Sequence, residues 1–301
     1  MPGLMLLDTP SLYFRAYYGV PESMTAPDGM PVNAVRGLID MIATLVRAHS
    51  PDELVACMDA DWRPAFRVAA IPSYKAHRVA TGHEEEVPDT LAPQVPVIEH
   101  VLDALGIARV GVPGYEADDV IGTYTARAGG QVEIVTGDRD LFQLVNDDQP
   151  CRVLYTIKGI RNLQAIDETQ VTAKYGIPGR AYADFATLRG DPSDGLPGVP
   201  GVGDKTAAAL ITRFGSLAAM LKALDDGVTD GFPAGSRLKL TKARDYLAVA
   251  PAVVKVAHDA PLPGVAVAVP VAPRDPEALV ALADRYGIDG PLNRLLAVLA
   301  P

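Results

Sequence analysis

Residues 114–141, GYEADDVIGTYTARAGGQVEIVTGDRDL, hold five carboxylates in two tight groups: Glu116, Asp118 and Asp119, then Asp138 and Asp140. Between the groups the pattern predicts a helix over Ala117–Ala128, a Gly-Gly turn, and a strand over Val132–Val135. That run is short, β-branched and followed by Gly137, which is how a buried strand reads. Ligands of open α/β sheets sit beyond the carboxyl ends of the strands, where Asp138 and Asp140 fall. On the helix, Glu116 and Asp119 are three residues apart and share a face, with Asp118 beside them. Like charges packed this closely repel unless they protonate or hold cations. Hard oxygen donors without His or Cys nearby suit Mg²⁺ or Mn²⁺ rather than zinc. The plainer alternative is first-turn acids set against a helix dipole, plus solvated loop acids.

Working outward, the strand-then-acid pattern repeats. Leu4–Leu7 leads to Asp8, and Leu54–Met58 leads to Asp59. Three strands ending in acids suggest carboxylates gathered along one sheet edge. TPSLYFRAYY (9–18) reads as a helix carrying Arg15, TAPDGMP (25–31) as a loop, and Asn33 as the cap of an amphipathic helix to about His49. Residues 61–78, DWRPAFRVAAIPSYKAHR, interleave Arg63, Arg67, Lys75, His77 and Arg78 with Trp62, Phe66 and Tyr74. Positive charge beside aromatics suits phosphate contact and base stacking, and Lys75 and Arg78 would share a face if helical. The alternative is a solvated amphipathic surface with Trp62 and Phe66 in the core. GHEEEVP (82–88) reads as an exposed turn. A helix over 90–105, strands over Ile107–Val112 and Val153–Ile157, and an Asp167/Gln170 capping box with Gly176 closing its helix complete the first part.

From about residue 178 the pattern is helical. ATLRGDPSDGLPGVPGVGDKTAAALITRFG (186–215) carries Asp191 and Asp194, then Gly198, Gly201 and Gly203 ahead of a helix with Lys205 and Thr206 in its first turn. Free N–H groups there, with the lysine, form an anion site suited to a phosphodiester, although the spacing is not that of a nucleotide-binding P-loop. A glycine-rich helix–helix connection is the plainer alternative. Residues 235–248 add Arg237, Lys239, Lys242 and Arg244, residues 262–273 are Pro/Val-rich and extended, and two short helices follow with no role evident.

Composition bounds the rest. The 301 residues suffice for one large domain or two, and no apolar run approaches the roughly 20 residues of a membrane span. The start, MPGLMLLDTP, lacks the basic region of a signal peptide. Cys57 and Cys151 stand outside any CxxC or Cys/His grouping, consistent with free buried thiols in a reducing compartment. A net charge of −10 argues against nucleic acid only weakly, since an acidic pocket inflates it while basic residues cluster elsewhere.

YEADD, TGDRDLFQLV, FR followed by YKAHR, and RGDPSDGLPGVPGVGDKTA together resemble the 5′-nuclease family, which includes flap endonucleases and the 5′-exonuclease domain of bacterial DNA polymerase I. The resemblance spans about residues 4–260, in the family's order, and looks like a stand-alone bacterial form. It implies an α/β fold with a central, mostly parallel sheet flanked by helices over 1–177, and leaves open whether 75–96 forms an arch. Over 178–301 it implies a helical DNA-binding part with a helix–hairpin–helix-like (helix–three-turn–helix) element.

By motif position the resemblance implies metal ligands at Asp8, Asp59, Glu116, Asp118 and Asp119, and at Asp138, Asp140, Asp191 and Asp194. Lys75, Arg78, Asp118 and Asp140 would carry catalysis. Arg15, Tyr74, Lys75, Arg78, Gly198, Gly201, Gly203, Lys205 and Thr206 would meet DNA, with Tyr74 stacking on an unpaired base. Cofactors would be two Mg²⁺ or Mn²⁺ ions, with a third open, and K⁺ at the turn near 198–203. The expected activity is hydrolysis of DNA 5′ ends and flaps in replication and repair by a cytoplasmic, nucleoid-associated monomer working with a DNA polymerase and ligase. Two departures stand out: Asp8-Thr9 replaces the usual Asp-Gly, and Asp194-Gly195 the usual Asp-Asn. A non-catalytic DNA-structure binder and an RNA-cutting nuclease remain open as alternatives.

Overall fold

The computed structural model describes residues 3–82 and 84–300. Six short strands form one sheet: β1 (Gly3–Asp8), β2 (Glu53–Cys57), β3 (Ala108–Val110), β4 (Gln131–Thr136), β5 (Cys151–Tyr155) and β6 (Gln164–Ile166). Their order is β3-β2-β1-β4-β5-β6, parallel throughout except for the antiparallel β5–β6 edge pair. The chain leaves β1 first toward β2 and β3, then returns to place β4 on its other side. That reversal opens a crevice at the carboxyl ends of β1, β2 and β4, and Asp8, Asp59 and Asp138 stand at those ends.

Side chains alternate across each strand, so the sheet is buried on both faces. Leu4, Leu6, Val55, Cys57, Val132 and Ile134 face one core, shared with helix Ala117–Arg127 and the helices that follow residue 177. Met5, Leu7, Leu54, Ala56 and Val135 face a second core, under helices Asn33–His49 and Gln94–Leu105. Both cysteines are free and buried, one in β2 and one in β5. Among the described residues no single helix is long and apolar enough to cross a membrane.

Several elements differ from expectation for identifiable reasons. Asn33 does not cap its helix: it is the first helical residue, buried, and its Nδ2 donates to the Tyr17 and Val20 carbonyls, tying two helices together. Lys75 and Arg78 do not share an α-helical face. The helix there is only Ala65–Ala70, and Lys75 adopts a left-handed conformation (φ 47°) ahead of a single 3-10 turn. Among the described residues of 75–93 the chain has one helical turn, Ala76–Arg78. It folds back on itself, with Ala80 N–H donating to the Glu84 carbonyl and Glu86 N–H to the Arg78 carbonyl, before turns lead into helix Gln94–Leu105. The basic run at 235–248 is two short helices, Ser236–Lys242 and Arg244–Val249. β6, three residues long, left no readable pattern.

The extended 262–273 stretch crosses the start of β2, where Leu54 N–H donates to the Val267 carbonyl and Val269 N–H to the Asp52 carbonyl. The last two helices, Pro276–Tyr286 and Asp289–Leu299, then bury Leu279, Tyr286, Leu292, Leu295 and Leu299 in the second core.

Candidate active site

The crevice is a cleft of about 220 Å³ whose walls include Asp8, Asp59, Glu116, Asp118 and Asp138, together with Lys75 and Arg78. Local structure fixes each acid. Asp8 ends β1 and caps helix Thr9–Gly19: its Oδ1 accepts from Ser11 N–H, while its Oδ2 accepts from Thr136 Oγ1 at 2.5 Å. Asp59 Oδ1 accepts from Ala117 N–H at 2.7 Å, so the acid beyond β2 holds the first residue of helix Ala117–Arg127. Glu116 and Asp119 form a reciprocal capping box around the same helix start. Asp138 accepts from the N–H of Asp140 at 2.8 Å, which turns the loop after β4.

These carboxylates are crowded and poorly solvated, and both conditions favour protonation. Burial, reinforced by the negative charges of Asp138 and Asp59, pushes Asp8 up to about 7. Burial also raises Glu116 to about 7, although Lys75 and Arg67 pull it down. Asp118 rises well above the carboxylate range through burial and then Asp8 and Asp138. Asp140 does so through burial and then Asp138, Asp194 and Asp191. Burial is the first cause of the upward shifts of Asp59 and Asp138 as well. Asp140 Oδ1 is buried with no hydrogen-bond partner among the described residues. An all-oxygen donor set, mutually repelling and with an orphaned buried oxygen, fits hard divalent cations. Among the described residues no three side chains close around one point.

Four expected site residues are committed to other partners. Asp119 is fully buried, and Arg67 takes both of its oxygens, at 2.7 and 2.6 Å; Ala257 N–H and Glu116 N–H donate to it as well. Both oxygens of this expected metal ligand are therefore engaged in a buried ion pair. Tyr74 is 3% exposed and its hydroxyl donates to Glu116 at 2.9 Å, so it offers no face for stacking a base. The ring is turned inward, with Glu116 supplying a buried acceptor for its hydroxyl. Asp191 is buried; its Oδ1 accepts from Ser193 N–H and Oγ, and its Oδ2 lies 3.4 Å from Arg189. Asp194 pairs with Arg78 at 3.0 Å.

Lys75 reaches Glu116 at 3.1 Å. Burial alone would lower the lysine's pKa, but Glu116 more than offsets this and holds the ammonium charged, well above its ordinary range. Arg15 stands one turn beyond cleft-lining Ser11 on its helix and, among the described residues, has no side-chain hydrogen bond or ion pair. Two participants were missed. Arg67 is legible only once its burial against Asp119 is known. Glu85, from the run expected to be an exposed turn, lines the cleft, and burial followed by Asp59 raises its pKa. His83 of that run lies outside the described residues.

The second motif forms a separate feature. Gly198 has φ 66°, and a Cβ there would lie 2.5 Å from the Arg189 backbone, so only glycine lets the turn close over the end of helix Tyr182–Arg189. Helix Asp204–Phe214 then starts with Gly203 as its cap, leaving Lys205 exposed and Thr206 half-buried in its first turn. The Gly201 carbonyl accepts Lys239 Nζ at 2.7 Å, so the turn expected to hold K⁺ already carries an ammonium from the basic helix.

The sequence matches the family described as 5′-3′ exonuclease, N-terminal resolvase-like domain, over residues 3–176, and its companion, 5′-3′ exonuclease, C-terminal SAM fold, over residues 177–277. It is 64% identical over 300 residues to a 5′-3′ exonuclease of Streptomyces coelicolor, covering 98% of this chain and 99% of that one. It is 46% identical over 228 residues to DNA polymerase I of Mycobacterium bovis, covering 74% of this chain and 24% of that one. The fold is similar to that of T5 5′-exonuclease, solved with bound zinc ions, at a TM-score of 0.66 and 16% identity, covering 99% of this chain and 98% of that one.

Proposed function

This chain belongs to the 5′-3′ exonuclease family, and we propose that it hydrolyses phosphodiesters at DNA 5′ ends and 5′ flaps with divalent metal ions in the cleft beyond β1, β2 and β4. The observation that carries this reading is the cleft itself: six carboxylates from five separate segments, with two cations, line a space of about 220 Å³. Asp8, Asp59, Glu116 and Asp118 would hold one ion, and Asp138 and Asp140, with Asp191 and Asp194 behind them, another. Bound there, such ions would activate a water and stabilise the attacking and leaving oxygens.

The chain's own groups do the rest. Lys75 and Arg78 are paired with acids that would face the ions, so they stand where a phosphate's developing charge would be stabilised. Arg15 and the helix start at Lys205 and Thr206 supply backbone-phosphate contacts away from the cleft. Lys239 adds a positive charge at Gly201, and a K⁺ ion near 198–203 would have to displace it. Mg²⁺ and Mn²⁺ both suit the donors. The remaining proposals are a monomer located in the cytoplasm with the nucleoid, acting where a polymerase and ligase complete repair.

The deciding test is cleavage of a 5′-flap DNA and a matched RNA flap with Mg²⁺, Mn²⁺ or EDTA. Cuts at the DNA junction that EDTA abolishes are expected. Tight binding without cleavage in either metal would instead establish a DNA-structure binder.

A further inference from the structure

Both cleft cations lie on one short segment, residues 73–78, and that segment is gripped from two sides. On one side Arg63 donates to the Tyr74 carbonyl at 2.6 Å and to the Pro72 carbonyl at 2.9 Å. On the other side lies the loop 191–196. Lys75 N–H donates to the Asp194 carbonyl at 2.9 Å, Ser73 Oγ donates to the Gly195 carbonyl at 2.9 Å, and Arg78 donates to the Ser193 carbonyl at 2.8 Å. Between those bonds the two backbones touch. Gly195 has φ 71°, and a Cβ there would lie 2.2 Å from the Ser73 carbonyl oxygen and 3.1 Å from its carbon. No side chain fits that gap, and an L-residue would also be strained at that φ.

The grip explains a second oddity. Lys75 is one of two described non-glycine residues with positive φ, a conformation that persists only where the surroundings impose it. Here the imposed conformation directs the ammonium to Glu116 at 3.1 Å and to the Trp62 carbonyl at 3.4 Å.

We propose that Gly195 and Ser73 form a backbone clamp that positions Lys75 and Arg78 over the cleft, so that the loop carrying Asp191 and Asp194 and the segment carrying both cations move as one unit. Gly195 and Ser73 are positioning residues: neither lines the cleft. The clamp rests on the nuclease reading only for the use to which Lys75 is put; its geometry stands without it. It also gives a physical role to the glycine following Asp194. The residue there must lack a side chain because another backbone occupies the side chain's place.

The test is Gly195→Ala in the full chain, read two ways. Amide hydrogen exchange reports the clamp directly: the Lys75 amide should exchange about tenfold faster, corresponding to roughly 1.4 kcal/mol of lost local protection, while β1 and β4 amides keep their wild-type rates. Single-turnover cleavage of the 5′ flap should slow by about a hundredfold from displacement of the cations by an ångström or so, with unchanged affinity for the flap DNA in EDTA. Ser73→Ala, which removes one hydrogen bond without a collision, should give the same pattern at about fivefold in each readout, and it decides the matter if Gly195→Ala fails to fold. Wild-type exchange at Lys75 in both variants would overturn the clamp. So would faster exchange with full cleavage, or lost DNA affinity with an unchanged cleavage step. If the wild type cuts no DNA, the nuclease reading fails, and the exchange measurement still decides whether the clamp exists.

Discussion

Asp119 gives both carboxylate oxygens to Arg67 inside the protein, while its neighbour Asp118 faces the cleft. Adjacent acids in one motif therefore answer differently to the same substitution. Asp118→Ala removes a repulsive charge and should nearly abolish cleavage with the thermal midpoint unchanged or raised; Asp140→Ala should behave alike. Asp119→Ala strands the buried Arg67 guanidinium and should cost about 3–5 kcal/mol in a urea titration. Wild-type stability in Asp119→Ala, with cleavage alone lost, would restore Asp119 as a ligand. The cleft acids also set a pH dependence. Asp8 and Glu116 are raised to about 7 from ordinary values near 4, so between those limits the folded chain binds more protons than the unfolded one. Stability then falls as pH rises. Without divalent ions the thermal midpoint should drop from pH 5 to pH 8, Asp8→Asn should flatten the fall, and Mg²⁺ should raise the midpoint more at pH 8 than at pH 5. A flat metal-free profile would refute the crowding argument. The sequence displayed the acids but not their partners: Arg67 lies 52 residues from Asp119, and only tertiary packing shows that this acid is taken.

Elements were legible where a local pattern dominated. The strands ending in Asp8, Asp59 and Asp138 have the β-branched or aliphatic runs of buried parallel strands, and the Asp167/Gln170 box and the Gly176 closure sit where the residues place them. Residues 73–78 were not legible, because their conformation is imposed by a loop more than 110 residues away. The glycine turn shows how finely such elements are specified. Gly198→Ala should destabilise by at least about 1–2 kcal/mol from its positive φ alone, with the collision against Arg189 added. Gly203→Ala, at negative φ with open space around it, should be tolerated. Equal midpoints for the two variants would remove the close-approach argument. Just beyond the turn, Lys205→Ala and Lys239→Ala should weaken DNA binding uniformly across sequences and each lower the salt slope by about 1, measured by titration over a range of NaCl. An unchanged slope would place these lysines off the DNA path.

At the scale of the whole molecule, net acidity and the proposed DNA binding are compatible because charge is placed locally: six acids line the cleft, while Arg15, Lys205 and Lys239 lie outside it. What the sequence left without a role was its last forty residues, because a helix shows an apolar stripe without showing what covers it. The structure answers with the nuclease sheet's second core. Helix Asp289–Leu299 lies along helix Asn33–His49, with Leu295 and Leu292 buried among Leu38 and Ile42. Arg36 donates to the Gly287 carbonyl at 2.5 Å, and Arg294 pairs with Asp40 at the rim. The C-terminal helices thus close the face of the sheet opposite the one that carries helix Ala117–Arg127, and their removal would bare the stripe of Asn33–His49 to water. Leu295, fully buried, should cost about 2–5 kcal/mol when cut to alanine. Arg294→Ala, breaking an exposed pair, should cost no more than about 1 kcal/mol. Urea midpoints at constant slope separate the two. Because the cleft lies at the strand ends and this packing lies on the sheet's face, Leu295→Ala should lower stability while leaving the single-turnover cleavage rate at 25 °C unchanged. A variant as stable as wild type would mean that the C-terminal helices are accessory to the nuclease core rather than part of it.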